Sequence, residues 1–279
     1  MSRLEGYDRA GLAFDVRDAG PLDGDPVVLL HGFPERASSW RHVAPLLHAQ
    51  GLRTYAPDQR GYSPGARPRR RRDYAVPELV GDVVALIGAI GRPVHLVGHD
   101  WGAIVGWMVA AHHPELVRTW TAVSVPHSVA MTRAWLTSSQ LAKSWYMAAF
   151  QLPVIPEWTA SRPRGRMDRS LRGAGMTADD VARFREEVVD YGALTGGLNW
   201  YRGLPFTPPS YSSVRVPVPT TMVWSDGDVA IVRNGVDRTA DSVAADYRLV
   251  VLEGVSHWIP TQAAGPLAEA ILARIGSVS

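Results

Sequence analysis

Short apolar runs alternate with helix-spaced segments through the first half of this sequence, and that order leaves few folds open. Residues 7–18 read as an N-terminal hairpin around Gly11. The apolar run 25–30 ends at His31-Gly32 and reads as a buried strand. Helical spacing follows over 38–48, with Trp40, Val43, Leu46 and Leu47 on one face and Gly51 as the stop. Residues 52–56 read as the next strand, and 76–90 as an amphipathic helix opened by Pro77 and closed by Gly91. A third buried strand, 94–97, leads to an Ala-, Gly- and Val-rich helix over 101–112 and a strand over 117–125. Alternation of this kind implies an α/β fold with a mostly parallel central sheet and helices on both faces.

The rhythm then stops. Positions 127–212 hold no convincing β-run, only helical stretches separated by Pro, Gly and Arg, one of them opened by Thr177 as an N-cap. It resumes with a strand near 220–224, a helix-like stretch over 232–244, a strand over 247–252 and a final helix over 263–275. The expectation is one core of residues 1–126 and 213–279, with a helical cap, 127–212, inserted after the sixth strand. An insertion of that length is too long for a passive loop and suggests a lid over a site.

Composition narrows the chemistry. The 279 residues include no Cys, which excludes a disulfide scaffold, a thiolate-bound metal and a thiol nucleophile. A net charge of +2 gives no reason to expect nucleic acid as a partner. No apolar run is long enough for a membrane span, and the first residues lack a signal-peptide core. A cytoplasmic protein is the default expectation, with a homodimer left open. His112-His113-Pro114 lacks metal-ligand spacing, and there is no H-E-x-x-H and no P-loop, so neither a metal nor a cofactor is expected. The run 67–72, with five arginines, reads as a solvated loop between Pro64 and Asp73.

Gly98-His99-Asp100-Trp101-Gly102 sits between a buried strand and a small-residue helix. This is the setting of a nucleophile elbow, with Asp in the nucleophile position. The turn is tight, so the residues two before and two after must be small. It lifts the Asp100 side chain out at the carboxyl end of the sheet, where open α/β sheets bind ligands. His31-Gly32-Phe33-Pro34 follows an earlier strand, so its Phe33 N–H and the Trp101 N–H make a two-donor oxyanion hole. Trp224-Ser225-Asp226-Gly227-Asp228 follows a late strand, where a triad acid belongs, and His257 follows the last strand, where the base belongs.

These motifs together resemble the soluble epoxide hydrolase family of the α/β-hydrolase fold, over nearly the whole chain. The G-H-D-W-G elbow and the H-G-F-P turn match that family residue for residue. Its W-G-x-x-D acid motif maps to Asp228, with Ser225 in place of the usual Gly and Asp226 as the alternative. The resemblance implies two cap tyrosines that hold the epoxide oxygen: Tyr201 in Leu198-Asn199-Trp200-Tyr201-Arg202, and Tyr146 in the looser Trp145-Tyr146-Met147 motif. It also implies contact with a small-molecule epoxide by His31, Pro34 and Trp258.

An Asp nucleophile suits this reaction. A carboxylate displaces at an sp³ carbon and leaves an ester, which water can cleave; a Ser nucleophile would leave an ether. The expected cycle is attack by Asp100, oxygen activation by Tyr146 and Tyr201, and ester hydrolysis by water that His257 activates with Asp228 behind it. The product is a vicinal diol. A haloalkane or haloacid dehalogenase uses the same nucleophile, but that family usually carries Asn where this chain has Phe33. A non-catalytic ligand-binding protein of the same fold is the alternative from another class.

Overall fold

The computed structural model describes residues 2–278. Its sheet has eight strands: β1 (Gly6–Arg9), β2 (Leu12–Ala19), β3 (Asp25–Leu30), β4 (Leu52–Pro57), β5 (Val94–His99), β6 (Val117–Val123), β7 (Thr220–Ser225) and β8 (Tyr247–Leu252). They lie in the order β1-β2-β4-β3-β5-β6-β7-β8. The β1–β2 and β2–β4 pairs are antiparallel, and every later pair is parallel. From β3 the chain crosses to β4 on one side and then to β5 on the other. The carboxyl ends of β3 and β5 therefore flank the point where the winding reverses, the usual ligand crevice of such sheets.

Alternation along the strands decides which side chain faces which layer. Val27 and Leu29 join Val97, Val123 and Val223 in a layer with Trp40, Leu47 and Ile271. Val28 and Leu30 point the other way, with Leu96, Trp120, Ala122 and Met222, into the larger cluster. The central strands are buried on both sides, which explains why Val27–Leu30 and Leu96–Val97 do not alternate with polar residues.

The helices before the break are α1 (Ala44–His48), α2 (Val76–Ile90) and α3 (Trp101–His112). Here the single helix expected over 38–48 divides. A 3-10 segment, Ala37–His42, precedes the short α1, whose first turn holds Pro45. Proline cannot donate in an established helix and starts a new one instead. Leu46 falls off the apolar face and is 41% exposed.

Between β6 and β7 the described residues form helices and turns, with one isolated parallel bridge from Val216 to Val243. They include α4 (Ser128–Thr137), α5 (Gln140–Lys143), α6 (Trp145–Ala149), α7 (Ile155–Ser161), α8 (Arg166–Gly173), α9 (Ala178–Phe184) and α10 (Leu194–Gly203). Thr177 caps α9 through a reciprocal box with Asp180. After β7 come α11 (Arg233–Asp237), α12 (Ile259–Gln262) and α13 (Ala264–Ile275). The helical stretch expected over 232–244 is thus only α11 and a 3-10 turn, Thr239–Ser242.

One contact fixes how the helical segment sits on the sheet. Gly196 of α10 meets Gly61 backbone to backbone, and a Cβ on either would collide with the other. Beside it the Trp200 indole donates to the Arg60 carbonyl at 2.7 Å. These two anchors hold α10, and with it Tyr201, over the carboxyl ends of β3 and β5.

Candidate active site

The site begins with a strained turn. Asp100 adopts φ 51° and ψ −115° between β5 and α3. A non-glycine residue with positive φ is held there only when its surroundings over-determine it. A Cβ on Gly98 would strike the Gly102 carbonyl, and one on Gly102 would strike the Leu30 carbonyl. The two glycines let the turn close against β3.

The turn after β3 completes the arrangement. The Phe33 N–H donates to Asp100 Oδ1 at 2.8 Å. Trp101 is the first residue of α3, so its N–H has no acceptor within the helix and adds to the positive end of the dipole. The other carboxylate oxygen, Oδ2, lies 3.5 Å from His257 Nε2, an ion-pair approach longer than a good hydrogen bond. On the far side of the ring, His257 Nδ1 meets Asp228 Oδ2 at 2.7 Å. The remaining oxygen of Asp228 accepts the Ala230 and Ile231 N–H groups at 2.7 and 3.0 Å. Asp226 is occupied elsewhere, accepting the Gly254 N–H at 2.7 Å, so Asp228 is the carboxylate that orients the imidazole.

Electrostatics follow from this line of groups. Burial opposes charge on Asp100, but His257 beside it, with the Phe33 N–H and His99, outweighs that and holds the carboxyl below its usual range. Burial likewise opposes an imidazolium at His257. Asp228 and Asp100, one on each side, overcome it and raise the ring well above the usual 6.5. Asp100, His257 and Asp228 thus stand in a row in which charge on Asp100 and a proton on His257 favour each other.

Above this row is a cavity of about 990 Å³ with largely apolar walls. Asp100, Trp101, Phe33, Pro34, His257 and Trp258 form one side, and Tyr146 and Tyr201 come from the helical segment opposite. Tyr201 is wedged among Trp101, Phe33 and Phe150, with ring centroids 4.9, 5.4 and 5.0 Å away. Tyr146 lies edge-on to it at 6.1 Å. Burial, first of all, keeps both phenols far above their usual pKa, and the nearby Asp100 adds to this. Both remain protonated donors at any ordinary pH.

One expected residue lies elsewhere. His31 is fully buried and does not line the cavity. Its ring stacks on Trp200 and stands edge-on to Tyr62. Nε2 accepts the Gln59 N–H at 3.1 Å, leaving Nδ1 to donate to the Gly32 carbonyl at 3.0 Å. Burial lowers its pKa, consistent with a neutral ring. His31 packs beneath the turn that carries Phe33 and lies outside the cavity.

Two supporting residues were missed. His99 Nε2 and Ser124 Oγ both donate to the His257 carbonyl, each at 3.0 Å, and so fix the loop that carries the base. His99 lies inside the elbow motif, and its presence there was the available signal. Ser124 gave none.

The sequence matches the model of the alpha/beta hydrolase family over residues 27–270. The chain belongs to the alpha/beta hydrolase family, on its epoxide hydrolase branch. It is 36% identical to an AB hydrolase superfamily protein of Bacillus subtilis, over 89% of each chain. It is 31% identical to epoxide hydrolase A of Mycobacterium tuberculosis, over 95% of this chain and 94% of that one. Among solved structures, an epoxide hydrolase from Vigna radiata superposes with a TM-score of 0.81 at 29% identity, covering 99% of this chain and 97% of the other. As a member of that branch, this α/β-hydrolase is an enzyme of the hydrolase class.

Proposed function

We propose that this protein adds water to a small-molecule epoxide and releases a vicinal diol, through an ester formed on Asp100. The observation that carries the reading is an ionised Asp100 facing two protonated phenols, Tyr146 and Tyr201, across one apolar cavity. A carboxylate below and two O–H donors above suit attack on a ring carbon with the oxygen held opposite.

In the first step, Asp100 Oδ2 bonds to an epoxide carbon as that carbon's bond to oxygen breaks. One tyrosine gives its proton to the departing oxygen, and the other donates a hydrogen bond. Forming the ester removes one of the two anions beside His257, so the imidazolium gives up its proton, relayed through water, to the tyrosinate left by the first step. The neutral ring can then take a proton from water, with Asp228 holding it in place. Water adds to the carbonyl carbon of the ester, and the oxyanion rests on the Phe33 and Trp101 N–H groups. Collapse breaks the bond from the acyl carbon to the alkyl oxygen, and the proton of the added hydroxyl passes to that oxygen, which frees the diol and restores the Asp100 carboxylate.

Residues 127–212 act as a cap and 1–126 with 213–279 as the core, and the enzyme works in the cytoplasm. Pro34 and Trp258 are wall residues for substrate. An aryl epoxide such as styrene oxide tests the reading: chromatography should show its diol formed catalytically. Halide release from a haloalkane with no diol from any epoxide would contradict it.

A further inference from the structure

Seven of the thirteen large apolar side chains that stand exposed among the described residues fall between positions 136 and 158. They are Leu136, Leu141, Trp145, Leu152, Val154, Ile155 and Trp158, with Leu136 83% and Val154 71% exposed. Scattered exposed apolar residues are ordinary, but a concentration in one stretch marks a surface that meets something.

Charge is segregated in the same stretch. Residues 128–172 contain seven cations and two acids. All seven cations are exposed. Neither acid offsets them at the surface: Asp168 is buried and clasped by Arg185, at 2.8 and 2.7 Å, and Glu157 is turned inward onto Arg202, at 2.7 and 3.0 Å. Arg166, Arg169 and Arg172 fall three residues apart on α8, along one side. Arg162 lies over the Trp158 ring at 3.6 Å, a pairing of cation and aromatic suited to a headgroup boundary. The acids of the helical segment gather instead at 179–190, which holds five of them.

Apolar side chains projecting among exposed cations, of which Arg133 alone has an ion-pair partner among the described residues (Asp241, at 3.6 Å), are the signature of a surface that rests on an anionic bilayer. No helix of the described residues is long and apolar enough to cross a membrane, so the contact is peripheral. Its position is informative. Lys143 and Trp145 are exposed and also line the substrate cavity, so the stretch borders the cavity mouth. We propose that residues 136–158, with the arginines of α8, dock this protein on the surface of an anionic lipid membrane, with the cavity mouth facing the lipid. A large apolar cavity would then receive lipophilic molecules directly from the bilayer.

Flotation tests this, using the full-length protein and two kinds of vesicle, one of phosphatidylcholine alone and one with about a third phosphatidylglycerol. The protein should float with the anionic vesicles, bind the neutral ones weakly and detach as salt is raised. The Leu136→Ser/Val154→Ser/Trp158→Ser variant should lose binding by about tenfold or more. Its turnover of a water-soluble epoxide, without vesicles, should match the parent, which also verifies folding. A second variant, Arg166→Glu/Arg169→Glu/Arg172→Glu, should lose only the anionic preference. Failure of the parent protein to float, or flotation of the first variant like the parent, would overturn the proposal. So would a parent protein that is dimeric by light scattering and a first variant that is monomeric, because the stretch would then be an interface between copies. The flotation and light-scattering readings do not depend on what the enzyme hydrolyses; the turnover control alone rests on the proposed function.

Discussion

The Phe33 N–H holds one oxygen of Asp100, at 2.8 Å, and leaves the other turned towards His257. A single donor thus serves twice. In the proposed cycle it fixes the attacking carboxylate before reaction and lies ready for the oxyanion when the ester is cleaved. The expected cycle needs no rearrangement of the backbone between the two halves.

Replacing Asp100 removes the nucleophile. Asp100→Ala should lower kcat/KM for an aryl epoxide by on the order of 10⁴, by analogy with the loss of a triad member. Steady-state diol formation measures it. A loss of less than about tenfold would place the nucleophile elsewhere.

In the proposed mechanism Tyr146 and Tyr201 act on the same oxygen, so their effects should not add. Tyr146→Phe and Tyr201→Phe should each slow alkylation, and the double variant should lose about 10²–10⁴-fold, the usual range for general acid help. Rapid-quench measurement of the first step separates this from ester hydrolysis. A double variant with near-parental alkylation would refute their assignment.

His257 should titrate according to its neighbours. Asp100→Asn removes one flanking anion, so the ring's pKa should fall, as measured by histidine NMR. The same shift in the ester intermediate lets the ring act as a base. A stability consequence follows from the sign. Because folding raises this pKa, the stabilising contribution is full below the unfolded value of 6.5 and fades as pH rises through the folded value. The stability gap between the parent and His257→Gln should therefore shrink with rising pH in denaturant titrations. A gap that widens would contradict the assignment.

Beneath the hairpin, Asp82 accepts two hydrogen bonds from Arg60, both at 2.7 Å, and one from Arg9 at 2.8 Å. Arg60 and Asp82 are both buried. Asp82→Asn leaves the buried guanidinium with the Asp73 carbonyl at 2.6 Å and the Glu78 carboxylate only at 3.7 Å, and should cost about 3–5 kcal/mol, the usual penalty for breaking such a pair from one side. Chemical denaturation measures it, and a cost below about 1 kcal/mol would mean that water or another group replaces the carboxylate.

Much of this site was legible because its residues stand at the ends of strands, where the order of elements dictates position. Asp100, Phe33, Asp228 and His257 each follow a strand of the parallel sheet, so alternation alone brought them to one edge. The choice between Asp226 and Asp228 was not legible, since both lie in one loop and only the backbone turn decides which meets the ring. His31 misled because the motif sets it two residues before Phe33, while its side chain turns inward against Trp200. The anchoring of α10 through Gly61 and Gly196 was invisible because it pairs positions far apart in the chain. Pro45 was readable as a break, but the apolar spacing around it suggested one continuous helix.

The central claim is an ester between Asp100 and the whole epoxide. The His257→Gln variant should form that ester and fail to cleave it. Intact mass spectrometry after brief exposure to styrene oxide should show one adduct equal to the full mass of the epoxide, mapped by digestion to the peptide holding Asp100. An unmodified protein, or an adduct on any other residue, would contradict the account.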